Sequence, residues 1–351
     1  MPFSIRGCEL SSNHELPNQS GDAVLRVRDL SVTFATRQGL VRAVDGLNLD
    51  VGPREVVGIV GESGSGKSVA MYSLLGLVRD ANASITGSVS FEGREILGLS
   101  DKAMQPLRGG QIGMIFQDPM TALTPVFTVG WQIVEQIRQH TDMTKAQAKG
   151  RAIELLAEVG IPDARRRIDS FPHEFSGGMR QRVVIAMALS CNPRLLIADE
   201  PTTALDVTTQ AQILELMGRL RDTHGSSIVI ITHDMGVIAE MADRVTVMYA
   251  GRPVESGPEV DVVRSPRHPY TWGLLGAVPR LGRRSERLAT IPGNVMSPLD
   301  VPEGCAFAPR CDYAMAACAR RPAMVGDTHE HACWLSDDQR IAIRATPKVP
   351  S

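Results

Sequence analysis

The stretch Gly61-Glu62-Ser63-Gly64-Ser65-Gly66-Lys67-Ser68 matches the G-x-x-x-x-G-K-[ST] pattern of a phosphate-binding loop. The residues before it, 55–60, form a short apolar run rich in valine, which predicts a buried strand. The residues after it, 69–77, are apolar enough for a helix packed on that strand. Because strand, loop and helix in this order are the context that the motif requires, the sequence predicts a site for a nucleoside triphosphate rather than an ordinary glycine-serine turn.

Each residue type in this stretch suits phosphate chemistry. Glycine lets backbone N–H groups approach phosphate oxygens, because no Cβ stands in the way. The amino end of the following helix adds positive electrostatic potential. Lys67 can reach the outer phosphates, and the hydroxyl of Ser68 can hold Mg²⁺. The candidate nucleotide-binding residues here are Gly61, Ser63, Gly64, Ser65, Gly66, Lys67, Ser68 and Val69.

The overall composition narrows the possible functions. The hydrophobic content of 43% and the charged content of 22% are typical of a soluble globular protein. The net charge of −2 argues against a dedicated nucleic-acid binder. No apolar run approaches the ~20 residues of a membrane-spanning helix, and the polar amino terminus lacks the apolar segment of a signal peptide. We therefore expect a protein that stays in the cytoplasm, with no nucleic-acid partner.

Hydrophobic patterns predict an α/β fold. The alternation from Leu25 to Phe34 predicts an antiparallel strand, whereas continuous apolar runs at 195–198 and 227–232 predict buried parallel strands. Apolar residues recur at helical spacing between 129 and 159, and prolines become frequent after 258. The expected parts are a flexible amino terminus (1–21), a nucleotide-binding domain (22–257) with a helical insert (about 118–180), a loop-rich extension (258–340) and a tail (341–351).

Two carboxylates end the apolar run Leu195-Leu196-Ile197-Ala198-Asp199-Glu200. In phosphate-loop folds the strand beside the loop ends at the magnesium ion, so Asp199 is a candidate to orient the ion or its water. Glu200 suits a base that polarises the attacking water. A solvated Asp-Glu pair is the plainer explanation, and the phosphate loop upstream argues against it.

The segment Ser176-Gly177-Gly178-Met179-Arg180-Gln181 places a serine and two glycines before a helix, which makes a second candidate anion site. It resembles the signature sequence of ATP-binding-cassette (ABC) ATPases, and it lies between a phosphate loop and an Asp-Glu strand as it does in that family. The resemblance covers about residues 24–257. It implies a RecA-like parallel sheet, an antiparallel β subdomain and a helical subdomain.

Further positions match the family's other motifs. Gln117 resembles the glutamine-loop residue, the segment 201–206 with Asp206 resembles the D-loop, and His233 resembles the switch histidine. Phe34 lies where the family stacks an aromatic ring on adenine, although core packing explains a strand phenylalanine equally well. The alternative for Gln117 is an ordinary loop glutamine, and the alternative for His233 is an ordinary histidine at the start of a helix. Each alternative is weak once all the motifs are taken together.

The resemblance implies a head-to-tail pair of nucleotide-binding domains. Each ATP would lie between the phosphate loop of one chain and Ser176, Gly177 and Gly178 of the other. Gln117 would contact the γ-phosphate and Mg²⁺, which Ser68 and Asp199 would also hold, directly or through water. Glu200 and His233 would complete the hydrolytic site.

The end of the chain resembles the carboxyl-terminal extension of the dipeptide/oligopeptide importer ATPases. The matching stretches are Ser265-Pro266-Arg267-His268-Pro269-Tyr270-Thr271, Ile291-Pro292-Gly293 and Gly304-Cys305-Ala306-Phe307-Ala308-Pro309-Arg310-Cys311. This resemblance implies a peripheral protein at the cytoplasmic face of the membrane. Its partners would be two membrane permease subunits, a second ABC ATPase (a different one or an identical copy) and an extracytoplasmic peptide-binding protein. Nickel importers are related, so nickel is an alternative cargo.

Four of the six cysteines lie in this extension: Cys305, Cys311, Cys318 and Cys333. In a chain without an export signal, such clustering suggests a metal or cluster site more than disulfides. Four thiolates suit a [4Fe–4S] cluster or Zn²⁺. The long gaps between the cysteines differ from the paired spacing of zinc ribbons and favour the cluster. His329 and His331 keep a mixed zinc site open, and four reduced cysteines packed in a small domain are the plainest alternative.

Three other functions are less consistent with the sequence. A soluble ABC ATPase acting on ribosomes or DNA would usually need two cassettes or a long coiled coil, and the sequence shows neither. A GTPase or kinase is opposed by the signature segment and by the absence of an Asn-Lys-x-Asp motif. An iron–sulfur redox module with regulatory ATP is the third, and no electron-donor site is visible.

Overall fold

The computed structural model describes residues 23–78, 80–203, 205–277, 291–294 and 296–345. The predicted flexible amino terminus and the part of the predicted tail after residue 345 lie outside the described residues. The strands are β1 (Leu25–Thr36), β2 (Gly39–Val51), β3 (Val56–Val60), β4 (Ala83–Phe91), β5 (Arg94–Glu95), β6 (Ile112–Ile115), β7 (Leu195–Asp199), β8 (Ser227–Thr232), β9 (Arg244–Tyr249), β10 (Arg252–Pro258) and β11 (Glu330–His331).

The α-helices in the described part of the chain are α1 (Lys67–Leu74), α2 (Asp101–Met104), α3 (Pro119–Ala122), α4 (Val129–His140), α5 (Lys145–Glu158), α6 (Ala164–Arg167), α7 (Gly177–Ala188), α8 (Val207–His224), α9 (Met235–Met241), α10 (Glu259–Arg264), α11 (Pro269–Gly276) and α12 (Asp337–Ala345). None of them is long and apolar enough to cross a membrane.

Two sheets organise the cassette. The larger has the strand order β11-β10-β9-β3-β8-β7-β6, and the smaller has the order β2-β1-β4-β5. The pairs β3–β8, β3–β9, β7–β8 and β6–β7 are parallel, whereas β10 pairs antiparallel with β9 and β11. The smaller sheet is antiparallel throughout. The predicted α/β architecture with an antiparallel subdomain is therefore confirmed.

The central strands are apolar without interruption because both of their faces are covered. Ile230 of β8 packs into a core shared with the helical insert. Its neighbours Val229 and Ile231 point to the opposite face, into a core shared with α1 and the antiparallel sheet. Successive strand residues face opposite sides of a sheet, so two cores need apolar residues at every position. Burial of one such side chain contributes about 1.5–3 kcal/mol.

The helical insert packs α4, α5 and α7 against one another. The predicted helical spacing is confirmed, since Ile133, Ile137, Leu155 and Leu156 are fully buried. Thr144 begins α5 with a capping box that it shares with Gln147. The end of the insert predicted at about residue 180 falls inside α7.

The extension contains more helix than its sequence predicted. The frequent prolines predict loop, yet Pro258 and Pro269 each lie at the beginning of a helix, α10 and α11 respectively. Proline is favoured in the first turn, where its missing N–H would have no partner within the helix. The predicted boundary at 340 likewise falls inside α12.

A buried carboxylate joins the extension to the larger sheet. Glu255 of β10 has no exposed surface. It accepts hydrogen bonds from the backbone N–H groups of Arg267 (2.6 Å) and His268 (2.9 Å), and it contacts Nε2 of His329 at 2.7 Å. Burial by itself would raise the pKa of Glu255, but the hydrogen bonds from His329, Arg267 and His268 outweigh it and lower the pKa.

We expect Glu255→Gln to lower the free energy of unfolding by about 1–3 kcal/mol, because an amide group cannot accept all of these bonds at once. Since the pKa of Glu255 is lowered by folding, its contribution is present above the unfolded-state value of about 4.3 and is lost as the pH falls through the folded-state pKa. Urea unfolding at pH 7 measures the change. The exposed Glu303→Gln is the control, and equal stability of the two variants would contradict the prediction.

Candidate nucleotide-binding site

The parallel sheet brings the predicted site residues to one edge. The phosphate loop follows β3, Gln117 follows β6, Asp199 ends β7 and His233 follows β8. The strands β3, β8, β7 and β6 are adjacent in that order. The carboxyl ends of neighbouring parallel strands form the ligand crevice of such sheets, so residues far apart in sequence meet there.

Two glycines of the loop are required by close approach of other backbone. A Cβ on Gly61 would collide with the carbonyl oxygen of Met248, and a Cβ on Gly66 would collide with that of Ala43. Gly66 also has a φ of 94°, in the left-handed region that favours glycine. Ser63 and Gly64 at the tip of the loop are exposed. The loop is thus held between β2 and β9 with its outer side open.

Lys67 is folded onto the loop that it ends. Its Nζ donates to the carbonyl oxygens of Gly61 (2.7 Å) and Glu62 (2.9 Å) and to Oγ of Ser65 (3.3 Å). Burial lowers the pKa of this ammonium, and the nearby carboxylates oppose the shift. Val69, the last of the predicted nucleotide-binding residues in this stretch, lies on α1 and is half-buried.

Two of the three residues predicted to hold Mg²⁺, Ser68 and Asp199, are in contact. Oγ of Ser68 donates to Oδ1 of Asp199 at 3.0 Å, and the hydroxyl of Tyr72 donates to Oδ2 at 2.8 Å. Asp199 is completely buried, and burial raises its pKa. A hydroxyl beside a carboxylate is a donor set that fits Mg²⁺, which prefers oxygen ligands.

Two of the three residues predicted for catalysis, Gln117 and His233, both contact the third, Glu200. Nε2 of Gln117 donates to Oε2 of Glu200 at 3.1 Å, and Nδ1 of His233 lies 3.3 Å from Oε1. Oγ1 of Thr203 also donates to Oε2, at 2.8 Å. Burial would raise the pKa of Glu200, but the bonds from Thr203 and His233 outweigh it and lower the pKa. Glu200 has a φ of 48°, unusual for a residue with a side chain, and such strained backbone concentrates at functional sites.

Other predicted residues lie away from this cluster. Ser176 begins α7 in the helical insert and accepts a hydrogen bond from the N–H of Met179 at 3.4 Å. Gly177 borders open space, and a Cβ on Gly178 would approach Thr209 of α8 to 2.8 Å. These residues belong to a different subdomain from the phosphate loop.

Asp206 and Phe34 also have structural roles. The carboxylate of Asp206 caps α8 by accepting from the N–H (3.0 Å) and the hydroxyl (2.7 Å) of Thr209, and these bonds lower its pKa. Phe34 lies on β1 and packs against the core on the antiparallel side of the structure. The packing of Phe34 agrees with its plainer explanation, and for both residues a role with nucleotide stays a prediction.

Three residues of the site were missed in the sequence. Tyr72 is four positions after Ser68, so both lie on one face of α1, a spacing that could have revealed it. Thr203 follows Glu200 by three residues, a common turn spacing. Glu62 occupies a variable position of the motif, where the pattern alone carries no information.

The four cysteines of the extension line one cavity, together with apolar residues such as Phe307 and Trp334. All four are free thiols. Burial raises the pKa of Cys311 to about 11 and also raises those of Cys305 and Cys333. Among the described residues, no group of three or more His, Cys, Asp or Glu side chains lies close enough to hold a single metal ion.

A phosphate loop, a buried acidic strand end and a glutamate in contact with glutamine and histidine define an ATP-binding cassette. Comparisons with known families agree. The ABC transporter family matches residues 44–203, and the family described as oligopeptide/dipeptide transporter, C-terminal region, matches residues 254–318. The oligopeptide transport ATP-binding protein OppD of Escherichia coli (strain K12) is 53% identical over 307 residues, which are 88% of this chain and 91% of that protein. The chain belongs to the ABC transporter family.

Other relatives support this assignment. A putative peptide import ATP-binding protein of Brucella abortus (strain 2308) is 52% identical over 85% of this chain and 90% of its own length. Among solved structures, a dimeric ATP-binding cassette in a post-hydrolysis state with ADP and Pi is 27% identical. Its TM-score is 0.60, with coverage of 67% of this chain and 98% of that one. CbiO1 of Clostridium perfringens, part of an ABC transporter complex, is 28% identical with a TM-score of 0.60 and covers 70% of this chain and 92% of its own.

We expect Thr203→Val to raise the pKa of Glu200, because it removes a hydrogen bond to the ionised carboxylate that is worth about 1.5–3 kcal/mol. Glu200 must be ionised to act as a base, so the rate of ATP hydrolysis should begin to fall at a higher pH than in the wild type. The acidic limb should move by about one to two pH units. The pH profile of kcat/KM measures it, with Thr223→Val on the surface of α8 as control. An unmoved acidic limb would show that Thr203 does not set this pKa.

Proposed function

We propose that this chain is the ATP-hydrolysing subunit that drives import of dipeptides or oligopeptides through a membrane ABC transporter. One observation carries the proposal: a cassette with Glu200, Gln117 and His233 in contact is joined to an extension that matches the oligopeptide/dipeptide transporter region. The relatives named for peptide import match along both parts.

The geometry supports the following mechanism. The loop from Gly61 to Gly66 offers backbone N–H groups to the phosphates, and Lys67 leaves its carbonyl partners to contact the outer phosphates. Mg²⁺, held by Ser68 and Asp199, would neutralise charge that develops on the phosphate oxygens. Two cassettes close head to tail, so that Ser176, Gly177 and Gly178 of one cover the ATP of the other.

Hydrolysis then depends on the side chains around Glu200. The lowered pKa of Glu200 keeps it ionised near neutral pH, ready to polarise a water molecule. His233 would hold the γ-phosphate, and Gln117 would move from Glu200 to the γ-phosphate and Mg²⁺ and so report on bound ATP. Phe34 would stack on the adenine, and Asp206 would lie at the interface between cassettes.

The proposed partners follow from the same relatives. The cassette would dock on two membrane permease subunits at the cytoplasmic face and pair with a second ABC ATPase. An extracytoplasmic binding protein would deliver the peptide. The alternative cargo is nickel or another small solute carried by the same machine, and a soluble ABC ATPase outside transport is the remaining alternative.

We expect Lys67→Ala to lose binding of MgATP, and Glu200→Gln to bind MgATP but to stop hydrolysis with the dimer closed. Both variants should abolish uptake of a labelled tripeptide by cells that carry the transporter genes. Nucleotide binding to the purified chain and peptide uptake by cells are the two measurements, with the exposed Lys102→Ala as control. Normal peptide uptake by either variant, or loss of nickel uptake alone, would refute the peptide-import proposal.

We also propose that Cys305, Cys311, Cys318 and Cys333 hold a [4Fe–4S] cluster. The support is that four thiols line one cavity in a loop-rich segment. A single ion needs all its ligands around one point, an arrangement that the described residues lack. A cuboidal cluster instead binds one thiolate at each corner of a larger body. Zn²⁺ bound by these cysteines with His329 or His331 is the alternative.

Anaerobic purification should yield iron and acid-labile sulfide in equal amounts, about four of each per chain. We expect Cys311→Ser to lower both and the distant Cys191→Ser to lower neither. Zinc without acid-labile sulfide would favour the zinc site. A metal-free chain that is stably folded would favour four reduced cysteines.

A further inference from the structure

The phosphate loop is in direct contact with the carboxyl-terminal extension through Glu62. The carboxylate of Glu62 receives a two-pronged ion pair from Arg310, with Nη1–Oε2 at 2.7 Å and Nη2–Oε1 at 3.1 Å. The backbone N–H of Glu62 donates to the hydroxyl of Tyr270 of α11 at 2.8 Å. A bidentate arginine–carboxylate pair fixes direction as well as distance, so the extension sets the orientation of this loop residue.

Arg310 is itself held from several sides. Its side chain is 5% exposed, and its Nε donates to the carbonyl of Pro292 at 2.8 Å. Its guanidinium lies 5.8 Å from the ring centre of Tyr249. Tyr249, Tyr270 and Phe307 form a buried aromatic cluster, with ring centres 4.7–5.4 Å apart, that joins the end of β9 to the extension. Arg310 and Tyr270, the two residues of the extension that contact Glu62, are therefore fixed in the core.

The third polar group of Glu62, its carbonyl, is held by Lys67 at 2.9 Å. When Lys67 turns to a phosphate it must leave this carbonyl, and the loop then depends on its other contacts to keep its shape. Arg310 and Tyr270 contact the carboxylate and the backbone N–H of Glu62, and not the carbonyl that Lys67 would leave. They can persist when nucleotide is bound.

Arg310 also acts on the phosphate loop through its positive charge. Glu62 places a carboxylate in the loop that would surround a polyphosphate, and at short range in a partly buried site like charges repel strongly. Arg310 neutralises that carboxylate at contact distance. Without it, the carboxylate would oppose binding of the phosphates.

We infer that Arg310 and Tyr270 are positioning residues of the ATP site, through which the extension keeps the phosphate loop in its binding form and neutralises Glu62. The inference rests on the proposed ATP site and adds the extension to it. Fixing a loop in its binding conformation before the ligand arrives lowers the entropic cost of binding. The extension would then set affinity for MgATP, apart from any contact with the permease.

The test uses the full-length chain and the dissociation constant of MgATP. We expect Arg310→Met to weaken binding at least tenfold and Tyr270→Phe to weaken it several-fold, whereas Arg310→Lys keeps part of the affinity. Glu62→Gln removes the repelling charge and should change affinity less than Arg310→Met. The double variant Glu62→Gln/Arg310→Met should therefore bind MgATP more tightly than Arg310→Met alone, which a mere loss of stability would not produce.

The control is Arg267→Met, because Arg267 is a half-buried arginine of the extension that donates to the carbonyl of His329, within the extension. We expect it to bind MgATP as the wild type does. In the assembled ATPase, KM should rise in the Arg310 and Tyr270 variants with little change in kcat.

Wild-type affinity in both Arg310→Met and Tyr270→Phe, together with loss of binding in Lys67→Ala, would overturn this inference and leave the ATP site standing. Weaker binding in the double variant than in Arg310→Met would also overturn it. Absence of MgATP binding in the wild type would instead refute the proposed ATP site itself.

Discussion

Parallel pairing of β3, β8, β7 and β6 is the constraint on which the site depends. Each strand delivers one functional segment at its carboxyl end, and the pairing of Asp199 with Ile231 across β7 and β8 fixes how far each segment reaches. A shift of this register by one residue would turn Asp199 from the ion site towards the other face of the sheet. The uninterrupted burial of these strands in two cores makes such a shift costly, so the precision of the site comes from apolar packing remote from the nucleotide.

The antiparallel sheet and the extension are secured to this centre by charge as well as by packing. Asp45 of β2 meets Arg252 of β10 and Arg321 of the extension, each at 2.9 Å. Burial would raise the pKa of Asp45, but hydrogen bonds from the two arginines outweigh it and lower the pKa. Asp45 also donates its N–H to Gly251, which in turn donates to Ser65 of the phosphate loop. The loop is thus braced on two sides by segments that are distant in the sequence.

Much of the fold and of the local motifs could be predicted because their signals are local. The loop Gly61–Ser68 carries its own pattern, and β8 is recognisable from apolar residues alone. What could not be predicted depends on pairing between distant segments. No spacing rule links Glu62 to Arg310 or Gln117 to Glu200. The helices α10, which follows Pro258, and α11, which begins at Pro269, could not be predicted because proline is typical both of turns and of helix starts.

The contact between Glu62 and Arg310 also has a consequence for the order in which the molecule is made. The two residues are 248 positions apart. A ribosome adds about 5–20 residues per second, so roughly 12–50 s separate their synthesis. During that interval the nascent chain already contains β3, the phosphate loop and α1, but Glu62 lacks its counter-charge and the aromatic cluster lacks Tyr270 and Phe307. A chain that contained the cassette but not the extension would lack the contacts that hold Glu62 in the phosphate loop. The contact between Glu62 and Arg310 can therefore form only after the extension has been synthesised.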